Sequence, residues 1–312
     1  MKKFIILPDS SCDMSPELRE QFGIEDYVKG YVHFSDGRDF RTSLDWDSIT
    51  RSDFYKALSD KHLKLSTAPA SPEEYYEQFS KYAKEGYDIV SISLSSAISL
   101  AYANAKAAGE RVMADFPDCK VYTCDSLRMS GLIGLLTIRA CELQKEGKSA
   151  LEVYEWLEAN KRTVHQMGPI DDLIFVARRG RISMGKAIMG SFAGVKPMGD
   201  CNSEGYVTVL TKAKGIKKAL ALTVAYVKRA AIDIENQYVY ISHSDREAYA
   251  MTLKEMIENT LHPKKVFVSD VYNSCGTNIG PGMISANFFG DTISEDGSKE
   301  KEMMNDAIAN CR

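Results

Sequence analysis

Residues 71–102 read SPEEYYEQFSKYAKEGYDIVSISLSSAISLAY, and the reading of this stretch decides the fold class. Ser71 can cap a helix, Pro72 suits the first helical position and Glu74 completes a capping box. That helix is expected to run to about residue 85 and to stop at Gly86. The apolar run over 88–94 reads as a buried strand, and an alanine-rich helix is expected over 97–115. Residues 120–124 follow as another strand. Upstream, Phe4-Ile5-Ile6-Leu7 is an apolar run too short for a signal-peptide core, so it reads as a first strand. It opens into the polar turn Asp9-Ser10-Ser11-Cys12-Asp13, and Ser15-Pro16-Glu17-Leu18 then starts a helix. Helices over about 127–146 and 149–163 close this half. Alternation of this kind predicts a mainly parallel sheet with helices on its faces.

The second half is less regular. Residues 172–177 look like a strand, and a Gly- and Met-rich stretch fills 178–205. A strand is expected over 206–211, a helix over 216–231 and a buried strand over 238–242. A helix over 247–259, a strand over 265–269, a Gly-rich turn over 276–282 and a polar helix over 298–310 complete the chain. The break at Gly168-Pro169 divides it into an N-terminal α/β domain, 1–165, and a C-terminal α/β domain with a mixed sheet, 166–312.

At 312 residues there is room for two ordinary domains, and 44% hydrophobic with 26% charged residues is a globular mixture. A net charge of −4 gives no nucleic-acid footprint, and no run reaches the length of a membrane helix. The seven cysteines are unclustered, which argues for a reducing, cytoplasmic compartment and against structural zinc. No metal or cofactor is expected.

Gly180-Arg181-Ile182-Ser183-Met184-Gly185-Lys186-Ala187 approaches a phosphate-binding loop, and a nucleotide- or phosphate-using enzyme built on residues 180–187 is the alternative reading. Ala187 lacks the hydroxyl that would ligate Mg²⁺. Ser242-His243-Ser244-Asp245 holds the residue types of a hydrolase triad, but neighbours on a strand face opposite ways. Two hydroxyl-rich turns remain: Ser66-Thr67, and Ser95-Ser96-Ala97-Ile98-Ser99 ahead of the alanine-rich helix. Each can be plain helix capping, or donors at a helix N-terminus for a carboxylate or phosphate.

Five segments, in order, resemble the DegV family of fatty-acid-binding proteins: residues 7–13, 66–75, 94–102, 179–182 with Lys196-Pro197, and Gly276-Thr277-Asn278-Ile279-Gly280-Pro281-Gly282. The resemblance implies two α/β domains with a long-chain fatty acid buried in the cleft between them. It implies a lipid-binding protein rather than an enzyme, and in some members a separate ATP-dependent fatty acid kinase as partner. Thr67-Ala68-Pro69-Ala70-Ser71 matches the family's Thr-Ser-Gln-Pro-Ser, which places a carboxylate-binding hydroxyl on Thr67. Residues 95–101 match its Ser-Ser-x-Leu-Ser-Gly-Thr, which places the second on Ser99, with Ser95 and Ser96 as neighbours. Tail contacts fall on Ile188, Met189, Phe192, Ile279 and Met283, for which ordinary core packing is the alternative. The departures concern the partner-facing side. Arg179-Gly180-Arg181-Ile182 carries an added charge beside Arg181, Lys214 stands where the pattern has Arg, and Asn278 where it has His. Lys lacks the planar fork of Arg, and Asn cannot titrate as His does. Ligand binding therefore survives the comparison better than kinase coupling.

Overall fold

The computed structural model describes residues 2–182 and 194–311. Its first sheet has Asp88–Ser93 in the middle, parallel to Phe4–Pro8 on one side and to Val121–Asp125 on the other. The capping box forms: the Glu74 N–H donates to Ser71 Oγ at 3.2 Å, and the Ser71 N–H donates to Glu74 Oε2 at 2.8 Å. That helix, Pro72–Lys84, packs with the helix Ala101–Asp115 on one face of the sheet, burying Tyr75, Phe79, Ala105 and Val112 with Leu7 and Ile89. A small antiparallel sheet that the sequence did not announce, Asp39–Arg41, Tyr31–Phe34 and Leu65–Ala68, lies beside it and pairs Thr67 with Val32.

In the second half, Lys265–Asp270 and Tyr238–His243 are parallel, while Ile284–Phe289 and Val164–Met167 add antiparallel strands, so the sheet is mixed. A separate hairpin, Val195–Cys201 with Val207–Lys214, carries a bulge between Met198 and Gly199.

Three local readings change. The run 172–177 is a helix, Leu173–Arg178, because Asp172 Oδ1 accepts the Phe175 N–H at 2.9 Å and caps it. A short apolar run does not by itself separate helix from strand. The Gly-rich segment is mostly helical, Asn273–Ile279, and turns only at Gly280, whose φ of 73° ends it. The alanine-rich helix starts at Ala101, not 97, because the Ile98 and Ser99 N–H groups both donate to the Ser95 carbonyl (3.1 Å each) and close a separate turn.

The helix Gly131–Lys145 joins the two halves. Residues 131–138 are buried on every side, as a helix segment between layers must be, while Arg139, Glu142 and Lys145 reach the surface toward its end. Its residues share one core cluster with Ile6, Val90 and Ile92 of the parallel sheet and with Tyr240 and Phe267 of the mixed sheet. Gly131 permits the approach: a Cβ there would stand 2.3 Å from Ser242 Oγ. Asp13, fully buried, fastens the same junction. Its carboxylate accepts from the Ser130 hydroxyl (2.6 Å) and the Tyr272 N–H (2.9 Å), and its carbonyl accepts from the Tyr240 and Ser269 hydroxyls (2.7 Å each).

Candidate functional site

Where these units meet lies a cavity of about 450 Å³. Thr67 reaches it from the antiparallel sheet, Ser96 and Ser99 from the turn after the central parallel strand, and Asn278 and Ile279 from the helix Asn273–Ile279. Arg181 brings a cation to its wall.

Asn278 Nδ2 donates to Thr67 Oγ1 at 3.0 Å. Thr67 thus spends a lone pair on Asn278 and keeps its proton for an acceptor in the cavity. Ser99 is similar: its Oγ accepts the Ala101 N–H at 3.1 Å, which leaves the hydroxyl proton to donate. The N-cap residue of the helix that begins at Ala101 is Leu100, whose side chain cannot accept, so apart from the Ser99 contact the helix's positive end adds to the field at this wall. Two hydroxyl donors, a helix N-terminus and a guanidinium are a site for an anion.

The other predicted residues fall as follows. Ser96 lines the cavity and its backbone N–H donates to Asp125 Oδ1 at 3.1 Å. Ser95 is fully buried, donates to the Gly205 carbonyl at 3.1 Å, and is a tie between loops. Lys214 is exposed at the end of the hairpin, paired with Val195, and lines neither this cavity nor the next. Ile188, Met189 and Phe192 lie outside the described residues, as does most of the loop 180–187. Arg179 donates to the Leu65 carbonyl and lies 5.0 Å over the Phe175 ring, so the added charge ties the helix Leu173–Arg178 to the strand that carries Thr67. Burial, with the charge of Arg181, holds its guanidinium below the usual value.

A second, smaller cavity of about 70 Å³ adjoins the first, and Met129 and Ile279 belong to the walls of both. Its lining is mainly apolar and includes Met283, Leu173 and Pro197. Sequence reasoning missed Met129, and it missed Asp9. The Asp9 carboxylate stands in the wall of the first cavity, accepting the Ser11 and Leu94 N–H groups at 2.8 Å each. Burial raises its pKa, against the pull of those two donors. In the sequence Asp9 is one residue of a polar turn, and nothing in the turn's composition says which wall it faces. Ser274 was missed too. It lies one helical turn before Asn278, its hydroxyl within 3.0 Å of the Ser11 hydroxyl.

Among the described residues no cluster of His, Cys, Asp and Glu could hold a metal, all seven cysteines are free, and no helix is long and apolar enough to cross a membrane.

Such a molecule is an α/β protein whose parallel and mixed sheets share a buried helix, with a cavity lined by hydroxyl donors and a cation beside a mainly apolar one. The chain belongs to the DegV family: the family model described as "Uncharacterised protein, DegV family" matches residues 3–291. A DegV domain-containing protein of Clostridium perfringens is 31% identical over 94% of this chain and 99% of its own. Among solved structures, a fatty-acid-binding DegV family protein from Thermus thermophilus superposes with a TM-score of 0.82 at 24% identity, covering 93% of this chain and 100% of its own. The Fatty Acid Kinase (Fak) B3 protein of Streptococcus pneumoniae, loaded with linoleic acid, gives 0.79 at 19%, again over 93% and 100%. These likenesses establish the fold.

Proposed function

We propose that this protein binds one long-chain fatty acid, with the carboxylate at Thr67 and Ser99 and the acyl chain running past Met129 and Ile279 toward Met283. The observation that carries this reading is the pair of adjoining cavities, one with hydroxyl donors and a cation, the other mainly apolar, sharing two wall residues. A buried carboxylate needs several donors at one point. An acyl chain contributes about 0.8 kcal/mol per buried methylene, less the cost of association. The fatty acids carried by relatives of the same fold support the assignment. The protein does no bond chemistry on its ligand; it works in the cytoplasm and hands the head group to a separate ATP-dependent kinase. Asn278 weakens that hand-over, because an amide cannot exchange a proton where the family pattern has His.

Native mass spectrometry of protein purified from a lipid-containing host tests the reading. A co-purified acyl chain, displaced by added oleate, is the expected result. A ligand-free protein that also ignores palmitate and oleate overturns it.

A further inference from the structure

The mainly apolar second cavity contains an amide. Gln166 lies in the strand Val164–Met167, where alternation sends His165 to the face that stacks on Phe288 and Gln166 to the other. The backbone N–H of Gln166 donates to Asp200 Oδ1 at 2.8 Å. Gln166 belongs to the wall of this cavity, half-buried, and its side-chain amide makes no hydrogen bond among the described residues. Across the ladder, Gln166 pairs with Asn287. Polar side chains continue on that side: Ser285 Oγ donates to Asn287 Oδ1 at 3.4 Å, and Asn287 Nδ2 donates to the Tyr240 carbonyl at 2.6 Å. Ser285 and Ser130 also line the cavity, and the Ser285 hydroxyl donates its proton to Asn287, which leaves its oxygen able to accept.

A plain hydrocarbon tail in this place would cover an amide donor and acceptor and return nothing to them, and an unmade hydrogen bond is costly. A hydroxyl on the chain at that depth would accept from Gln166 Nε2 and donate to Gln166 Oε1 or Ser285 Oγ. The cavity of about 70 Å³ has room for such a group beside the chain, since one water-sized group needs about 10–15 Å³. We infer that Gln166 is a specificity residue and that the preferred ligand is an oxygenated acyl chain, a fatty acid bearing a hydroxyl in its middle or distal part. The inference rests on the fatty-acid-binding reading above.

The test measures Kd for stearate, 10-hydroxystearate and 12-hydroxystearate, with delipidated wild-type protein and with Gln166→Met and Gln166→Leu. The wild type should bind one hydroxy isomer about tenfold more tightly than stearate, the value of one buried hydrogen bond of about 1.4 kcal/mol. Both variants should lose this preference, because the apolar Met and Leu side chains supply neither the amide donor nor its acceptor. Stearate bound more tightly than both isomers by the wild type overturns the inference and leaves fatty-acid binding intact. So does a hydroxyl preference that either folded variant retains, since Gln166 then does not read it. If the wild type binds none of the three acids, the fatty-acid reading itself fails and takes this one with it. The wild-type comparison stands alone should both variants fail to fold.

Discussion

Thr67→Val isolates the head-group contact. Valine keeps the β-branched shape that the strand Leu65–Ala68 pairs against Val32, so the sheet is preserved and only the hydroxyl is lost. Two hydrogen bonds change. The ligand carboxylate loses a donor, and Asn278 Nδ2 loses its 3.0 Å acceptor, keeping only the 3.4 Å contact to the Ser274 carbonyl. A hydrogen bond to a charged acceptor is worth about 1.5–3 kcal/mol, so palmitate affinity should fall roughly ten- to hundredfold. The tail contacts lie elsewhere in the cavities and should add independently, so stearate should lose the same factor. Hexadecanol, which carries no charge, should lose much less. Isothermal titration with delipidated protein gives all three constants. A palmitate Kd within about twofold of wild type, or an equal loss for the alcohol, would refute the placement of the carboxylate at Thr67.

Ile279→Phe enlarges a side chain in the wall shared by the two cavities. If it excludes three methylenes at about 0.8 kcal/mol each, stearate should weaken roughly fiftyfold while decanoate changes little, as displacement of a fluorescent acid would show. Gly131→Ala places a Cβ 2.3 Å from Ser242 Oγ and 2.6 Å from Asn287 Nδ2, so it should cost about 1–3 kcal/mol in denaturant unfolding. Asp13 titrates against stability: burial pushes its carboxyl up to about 8, over the opposing hydrogen bonds from Ser130 and Tyr272. The folded protein therefore holds a proton that the unfolded chain has released, and this group's stabilising effect fades as pH rises from the ordinary carboxylate range toward 8. Asp13→Asn, which also tolerates the left-handed backbone at φ 50°, should flatten that slope in pH-dependent melting; an unchanged slope would assign it to another group.

The parallel half of the fold was legible because its signals are local. The capping box at Ser71, the stop at Gly86 and the apolar run before Ser95 depend on near neighbours, and all three appear where expected. Leu173–Arg178 was not legible, since its helix rests on one Asp172 cap that composition alone does not reveal. The antiparallel sheet was missed because its strands are three or four residues long and gain meaning only from pairing with each other. At the site, the resemblance led to Thr67, Ser99, Asn278, Ile279 and Met283, and the structure puts all five in cavity walls. It led as well to Lys214, which stands away from them. Met129, Asp9 and Gln166 belong to elements whose facing side depends on how the two sheets dock, and no spacing in one sequence encodes that.

Docking is also why the site and the fold share their energetics. Thr67 comes from the small antiparallel sheet, Ser99 from the parallel sheet, and Asn278 from the second half of the chain. No single unit holds the donors together. The junction is set by the mainly buried helix Gly131–Lys145 and by Asp13, whose four hydrogen bonds reach Ser130 on one side and Tyr240, Ser269 and Tyr272 on the other. A ligand that touches all three units binds only their assembled arrangement, so it stabilises that arrangement by the logarithm of its concentration over its Kd. A change at Asp13 therefore acts on affinity without touching the ligand, by lowering the fraction of molecules in which the donors converge. Its effect should fall equally on every chain length and on acid and alcohol alike, the pattern opposite to that of Thr67→Val.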